Sequence, residues 1–384
     1  MRRLVLTLCT ITACGLAGPP KPQPSTSAEL ASAPLSPERQ IAVRLGLKPR
    51  LSFGLGNDAE SYDPNDVSAY KLGPKVDIHY MYLSGLDWPT WNKPLGHYVT
   101  MHVDAAKTRG IVPMFTLYQA AAWGEGDLDA FKSDAFMIRY WANVRILFDR
   151  LREGGVAAIV HVEPDLWGYF QKTNGDDPRA STVRVRSLVP ECASLPDDAS
   201  GFGKCLVRLS RRLAPKVVIG LSASTFGAYT DGEPDPMRVG RFLRDVGGAD
   251  ADIVVVETLD RDAGCFEAAA LPKCQRKGSF YWTEVEFAAH LAWAKTIRVT
   301  TDKPLLWWQT PLGVPQGAPG GSPGHYRDNR VEYIFRYPWK FAQAGGIGAV
   351  FGEGARNQTT VRTDGGQFKE VLTRYLASGG NRLN

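Results

Sequence analysis

The stretch AAIVHVEPDLWGYF, residues 157–170, joins a short apolar run to two carboxylates and three aromatic rings. The run covers residues 157–163 and ends at Glu163, and Pro164 and Asp165 follow directly. A short continuous apolar run is typical of a parallel strand that is buried on both faces. A carboxylate inside such a sheet would be costly, so the pattern predicts a strand that ends at Glu163, at the edge of the sheet.

Seven similar runs occur along the chain, and segments with helical periodicity lie between them. The other runs span residues 50–56, 76–85, 111–118, 217–224, 252–258, 304–310 and 347–353. The helical segments are Ala130–Arg152, Gly203–Leu213, Thr283–Ile297, Asn329–Ala344 and Gly366–Leu376. Eight strands that alternate with helices predict an α/β fold, a single-domain (β/α)8 TIM barrel. An open doubly wound sheet is the alternative, but no glycine fingerprint for a dinucleotide follows the first run.

Composition and charge are those of a folded globular protein without a nucleic-acid partner. The 384 residues are 44% hydrophobic and 22% charged, and the net charge is +5. No run of basic residues and no phosphate-binding motif is present, so we expect no nucleic-acid partner. We also expect a monomer that needs no cofactor and no metal.

The first 37 residues are expected to be targeting and linker sequence. Two arginines precede the apolar segment 4–12, which is too short to span a membrane. The residues ITAC, 11–14, resemble the cleavage box of bacterial lipoproteins, which implies cleavage before Cys14 and a lipid on its sulfur. An ordinary secretory signal is the alternative. We therefore expect a signal peptide at 1–13, a lipidated cysteine with a Pro/Ser-rich tether at 14–37, and the barrel at 38–384.

This targeting predicts a lipid-anchored protein of the bacterial cell envelope, held to the membrane through its N-terminal lipid only. Gly15 after the lipidated cysteine favours the outer membrane in a Gram-negative host. Four cysteines remain after the signal and the lipid site, and an oxidising compartment favours disulfides between neighbours. The expected bridges are Cys192–Cys205 and Cys265–Cys274. A zinc site is the alternative, but no C-x-x-C spacing occurs.

Acidic and aromatic residues recur at the predicted strand ends. Active sites of such barrels lie at the C-terminal ends of the strands. Glu163, Glu257 and Glu353 end the fourth, sixth and eighth runs or lie within their last residues. Sugars present hydroxyl groups to carboxylates and amides, and C–H faces to aromatic rings, so this mouth predicts a carbohydrate site. The predicted substrate contacts are Trp167, Tyr169, Gln309, Trp308, Trp123, His79 and Glu353.

Glycoside hydrolysis requires two carboxyl groups across the scissile bond. Glu163 is expected to be the general acid, because burial among aromatic rings should raise its pKa. Glu257 is the first choice for its partner carboxylate, Asp165 the second and Glu353 the third. Structural alternatives stay open: Glu163 and Asp165 as a cap or salt bridge that holds a loop, and Glu257 as an ion partner of Arg261.

The segment VEPD, residues 162–165, resembles the NEP motif that ends the fourth strand in the large retaining glycoside hydrolase clan. The resemblance implies that Glu163 is the general acid/base. The chain departs from that motif at Val162, and it has Gln309 where the clan has its nucleophile after strand seven. The longer segment 159–168 also resembles the EPD segment of the inverting family 6 cellulases.

These patterns predict an envelope-anchored glycoside hydrolase that cleaves a polysaccharide or oligosaccharide. Two alternatives remain open. One is a carbohydrate-binding barrel lipoprotein without catalysis, which Gln309 favours. The other is a metal-dependent hydrolase that holds a divalent ion on Glu163, Asp165 and Glu257.

Overall fold

Eight parallel strands form the centre of the fold in a computed structural model, which describes residues 34–56, 68–269, 271–275 and 280–383. They are β1 (Ser52–Gly56), β2 (Ile78–Ser84), β3 (Val112–Tyr118), β4 (Ala158–Val162), β5 (Val217–Ala223), β6 (Ile253–Val256), β7 (Leu305–Thr310) and β8 (Gly346–Gly352). Each strand pairs with its neighbours in sequence, and β1 pairs with β8 from Ser52 opposite Gly348 to Gly56 opposite Gly352. The sheet is therefore a closed barrel, which confirms the predicted TIM-barrel fold.

Twelve α-helices lie among the described residues, most of them between the strands. They are α1 (Pro37–Leu45), α2 (Trp88–Trp91), α3 (His97–Arg109), α4 (Asp134–Gly154), α5 (Leu166–Asn174), α6 (Ala199–Leu213), α7 (Pro236–Leu243), α8 (Ala263–Ala268), α9 (Glu284–Thr301), α10 (Arg330–Arg336), α11 (Pro338–Gln343) and α12 (Gln367–Ala377). The predicted helix over 329–344 is two helices, α10 and α11. Pro338 begins the second, because its ring cannot continue the hydrogen-bond ladder of the first.

Local sequence signals set the ends of the longer helices. Helix α9 begins at a capping box, in which the Thr283 side chain accepts from the Glu286 amide and the Glu286 side chain accepts from the Thr283 amide. Helix α4 begins after Ser133, whose hydroxyl accepts from the Phe136 amide, and it ends before Gly155 in a left-handed conformation.

The barrel interior is an apolar core that α1 closes at the N-terminal ends of the strands. Residues two apart along a strand point the same way, so Ile78 and Tyr80 of β2 share this core with Ile41 and Leu45 of α1. Arg44 of α1 donates to the carbonyl of Val217, the first residue of β5, at 3.2 Å. The opposite end, where the strands finish, is thus the end available for a site.

Both predicted disulfides are present. Cys192–Cys205 has a Cα–Cα distance of 5.6 Å, and it joins the 3-10 turn Pro190–Cys192 to α6. Cys265–Cys274 has a Cα–Cα distance of 5.7 Å, and it joins α8 to the turn Pro272–Cys274 in the segment that follows β6.

The N-terminal predictions fall largely outside the described residues. The chain divides after Leu35, and the barrel belongs to the unit Ser36–Asn384. The signal peptide, Cys14 and most of the tether lie in residues 1–33, which the structure does not describe. Within the described ranges, no helix has the length and apolar character that a membrane span requires.

Candidate active site

Two cavities lie at the C-terminal ends of the strands. The small mouth cavity, of about 300 Å³, extends from Ser222 of β5 to Trp282 and His290 at the start of α9. The large mouth cavity, of about 430 Å³, extends from Tyr82 of β2 and Tyr118 of β3 to Trp308 and Gln309 of β7. Four residues line both cavities: Pro164, Asp165, Glu257 and Leu259. The carboxyl groups of Asp165 and Glu257 therefore lie where the two cavities meet.

Asp165 follows β4 at the N-terminus of α5, and it lines both cavities. It makes no side-chain cap to the helix, although it occupies the N-cap position. Instead its Oδ2 accepts a hydrogen bond from the Tyr118 hydroxyl at 3.0 Å. Burial and the negative charge of Asp165 raise the pKa of Tyr118 well above its usual value, so this hydroxyl stays protonated and donates.

Glu257 is the first residue after β6, and its surroundings favour the protonated acid. Burial, followed by the nearby charge of Asp165, raises the pKa of Glu257 to about 8, and Arg261 offsets part of this shift. Burial and the neighbouring negative charge thus both favour the protonated form of Glu257 near neutral pH. The alternative role of Glu257, as an ion partner of Arg261, is not seen as a salt bridge in the structure, where Arg261 pairs with the neighbouring Asp260.

Glu163 is fully buried and lines neither mouth cavity. Its Oε1 accepts from the Gln119 amide at 3.0 Å, and its Oε2 accepts from the Ala120 amide at 3.1 Å. Burial raises the pKa of Glu163 to about 8, which the two amides partly offset. These contacts are those of the loop-cap alternative, since they tie the end of β4 to the segment after β3. The general-acid role of Glu163 stays a prediction.

Three non-glycine residues at the mouth have a left-handed backbone conformation. The φ angles are 50° at Glu163, 52° at Gln309 and 108° at Leu259. Such conformations cost free energy and are found preferentially at functional sites. Glu163 directly follows β4, Leu259 lies in the segment after β6, and Gln309 is near the end of β7.

The amide of Gln309 supports the cavity wall. Its Nε2 donates to the Tyr82 hydroxyl at 2.7 Å and to the Glu353 carbonyl oxygen at 3.4 Å. Gln309 thus lines the large mouth cavity with part of its hydrogen-bonding capacity already used, and its contact with substrate stays a prediction. The Glu353 side chain does not line either mouth cavity. Burial raises the pKa of Glu353, and the Asn357 amide and Arg362 offset this rise.

The predicted aromatic contacts divide into three groups. Trp308 and Tyr169 line the large mouth cavity. Trp167 and His79 do not reach either mouth cavity, which corrects the expectation for both. Trp167 is 1% exposed and donates its Nε1 hydrogen to the Val162 carbonyl at 2.9 Å, so no ring face is left for a sugar. His79 is 2% exposed, and its Nδ1 lies 2.7 Å from the Tyr70 hydroxyl. Trp123 lies in a separate groove.

A buried histidine fixes one hydroxyl of the small mouth cavity. His161 Nε2 lies 2.5 Å from Ser222 Oγ, and His161 Nδ1 lies 3.4 Å from Thr116 Oγ1. Burial lowers the pKa of His161 to about 3, so the ring is neutral. The ring also packs against Trp308, with centroids 4.6 Å apart. This histidine therefore holds Ser222 in one orientation at the cavity wall.

Several residues that line the cavities are not indicated by the sequence. Tyr82 and Tyr118 lie inside apolar runs. The only sequence signal for their place at the cavity wall is the two-residue alternation, which puts Tyr82 on the same side as Tyr80. Trp282 and His290 reach the small mouth cavity from α9 and the turn before it. No sequence pattern near Glu257 indicates that these two side chains reach the small mouth cavity. Within the described ranges, no group of three or more His, Cys, Asp or Glu side chains is arranged to hold a metal ion.

Comparisons with solved structures find the same kind of barrel at low similarity. A broad-specificity endoglucanase from Clostridium longisporum is 9% identical, with a TM-score of 0.48 over 90% of this chain and 99% of that one. A β-mannanase from a symbiotic protist of the termite Reticulitermes speratus is 10% identical, with a TM-score of 0.43 over 85% and 87% of the two chains. A D-psicose 3-epimerase from Clostridium cellulolyticum is 13% identical, with a TM-score of 0.42 over 85% and 98%.

No protein-family model and no curated protein sequence matches the chain. Glycoside hydrolases and sugar epimerases thus both occur among the similar structures, and at these TM-scores neither assigns an activity to this chain. Any activity of this chain therefore has to follow from the residues that line the mouth cavities.

Proposed function

We propose that the protein is a glycoside hydrolase with Glu257 as the general acid and Asp165 as its carboxylate partner. The observation that carries the proposal is the place of these two carboxyl groups, on the shared wall of two cavities lined by aromatic side chains. Substrate could then occupy both cavities, with its scissile bond between them. The residue roles differ from the sequence-based expectation, since Glu163 becomes a loop cap.

The protonation states support these roles. A general acid must hold a proton near neutral pH, and Glu257 does so because its pKa is raised to about 8. Glu257 gives its proton to the glycosidic oxygen as the bond to the anomeric carbon breaks. Asp165 then either attacks that carbon, which retains the configuration, or removes a proton from an attacking water, which inverts it. Tyr118 orients Asp165 through the 3.0 Å hydrogen bond in both cases.

Release of reducing sugar from a panel of plant, fungal and bacterial polysaccharides tests the proposal. Wild type should release reducing ends, and Asp165→Asn and Glu257→Gln should each lose at least about 10²-fold in turnover. Proton NMR of the first product formed should show one anomer, which separates retention from inversion. Wild type inactive on every substrate would refute the proposal.

A carbohydrate-binding barrel without catalysis is the second candidate. Gln309 favours it, because an amide lies where the retaining clan has its nucleophile, and that amide is held by Tyr82. Binding of a polysaccharide without release of reducing ends would support this candidate.

We also propose that the protein is a monomer anchored in the bacterial envelope by a lipid on Cys14. The lipoprotein-like box at residues 11–14 supports this location. The two disulfides within the barrel are consistent with export to an oxidising compartment.

A further inference from the structure

A third concave surface lies on the outer rim of the barrel mouth. This outer groove, of about 570 Å³, lies between Trp91 of α2 and Trp123, and Asp87 and Arg139 form part of its wall. Trp91 is 42% exposed and Trp123 is 57% exposed, so each presents ring surface to solvent. Large exposed aromatic side chains around one concavity are typical of a binding surface.

Neighbouring aromatic rings hold the two tryptophans in place. Trp91 packs edge-on against Trp88 and Tyr98, with centroids 6.2 and 5.3 Å away. Trp123 packs edge-on against Phe136, with centroids 5.6 Å apart. These contacts restrict the rotation of both rings. The two tryptophan side chains therefore lose little conformational entropy when a ligand binds.

The outer groove adjoins the large mouth cavity. Ser84, which lines the groove, is the β-ladder partner of Tyr118, which lines the cavity. The chain also passes directly from Trp123 in the groove to Glu125 in the cavity wall. One extended ligand could therefore lie across the mouth from the carboxyl pair to the two tryptophans.

The polar groups of the groove match a neutral polysaccharide. Asp87 and Arg139 form an ion pair at its wall, which offers a carboxylate acceptor and guanidinium donors beside the exposed rings. Sugar residues combine apolar C–H faces with hydroxyl groups that both donate and accept, so they satisfy rings and ion pair together.

We infer that the outer groove binds a second part of the polysaccharide chain, remote from the bond that is cleaved. The inference rests on the proposed function and extends it, because it makes the substrate a polymer and the cleavage internal. Trp91 and Trp123 act as stacking platforms for its sugar residues.

Affinity electrophoresis in gels that contain one polysaccharide each tests the inference on the full chain. The proteins are Glu257→Gln alone, the same with Trp91→Ala and Trp123→Ala, and the same with Trp339→Ala. Trp339 is the matched control, since it is 44% exposed and lies on α11, outside the groove. The double replacement should raise the dissociation constant obtained from the retardation by at least about ten-fold. The Trp339 replacement should leave it unchanged.

Kinetics separates this inference from the proposed function. With an otherwise wild-type chain, the ratio of kcat/KM on the polymer to kcat/KM on a short chromogenic glycoside should fall about ten-fold in the double variant. If wild type cleaves nothing but the double variant still loses retardation, the proposed function fails and the groove assignment stands. Equal retardation and an equal ratio in the double variant overturn the groove assignment alone. If no polysaccharide retards the Glu257→Gln protein, the groove assignment is overturned as well. The same holds if the groove binds a protein partner and no polysaccharide.

Discussion

Replacing Glu257 and Glu163 by glutamine, one at a time, distinguishes a catalytic acid from a structural cap. Glu257→Gln keeps the shape of the side chain and removes the titrating proton at the wall of both cavities. Loss of a general acid should reduce turnover by about 10²- to 10⁴-fold. Glu257 is largely protonated at neutral pH, with a pKa of about 8, so the neutral amide should leave the melting temperature at pH 7 nearly unchanged.

Glu163→Gln should act mainly on stability. The wild-type carboxyl accepts two backbone N–H groups, from Gln119 and Ala120. A glutamine has one acceptor oxygen, so its NH₂ group would face the second N–H donor. A buried donor left without a partner costs about 1–3 kcal/mol. For a domain of this size each kcal/mol lowers the melting temperature by about 2–4 °C at most.

Melting curves and initial rates on one polysaccharide, measured on both variants, decide between the roles. We expect a large loss of turnover with an unchanged melting temperature for Glu257→Gln. For Glu163→Gln we expect the opposite pattern, with turnover that follows the folded fraction to within about ten-fold. In wild type, kcat/KM should decline above a pH of about 8 as Glu257 ionises. The assignment of roles is wrong if Glu163→Gln has the melting temperature of wild type but a turnover reduced 10²-fold or more, while Glu257→Gln stays active.

Four further predictions address electrostatics, pH, disulfides and location. Asp165→Asn removes the like charge beside Glu257, so the pKa of Glu257 should fall below about 8 in a ¹³C-NMR titration of its carboxyl group; an unchanged value would contradict the pairing. The free energy of unfolding should decline from pH about 6.5 to pH about 8 in denaturant titrations, because buried carboxyl groups of the folded state hold protons that the unfolded state has released; a rise over this range would contradict it. The carboxyls responsible have pKa values raised to about 8 by burial: Glu163, Glu257 and Asp262. Thiol counting on denatured exported protein should find no free thiol among the four cysteines of the barrel, and serine at both Cys265 and Cys274 should cost about 2–3 kcal/mol. Cys14→Ala should move the protein from the membrane fraction to the soluble fraction, and unchanged fractionation would remove the lipid anchor.

The sequence predicted the barrel well because its strands are continuous apolar runs. Each of the eight runs overlaps one observed strand, and the ends differ by a few residues at most. Parallel strands buried on both faces have this pattern whatever their neighbours are. The two local disulfides were also predictable, since each closes a short loop between neighbours in sequence.

The direction of side chains at the end of β4 was not predictable in the same way. His161 points into the barrel, where it packs against Trp308, so a two-residue alternation would place Glu163 on the same side. The left-handed backbone at Glu163, with a φ of 50°, ends that alternation. Its carboxyl then contacts the amides after β3 instead of the mouth. Nothing in the local sequence indicates such a turn, because a residue before proline usually adopts an extended backbone.

The same turn gives Asp165 and Glu257 different electrostatic surroundings. Pro164 separates the buried Glu163 from Asp165, which lies at the N-terminus of α5, where the helix dipole stabilises negative charge. The Tyr118 hydroxyl adds a hydrogen bond to the same carboxylate. Glu257, directly after β6, is half-buried at the wall of both cavities and faces that negative charge, so its pKa is raised. Pairs of carboxyl groups whose surroundings differ in this way divide into an acid and a base. The proposed division of roles therefore rests on two neighbouring features of the chain, the end of β4 at Pro164 and the helix α5 that begins behind it.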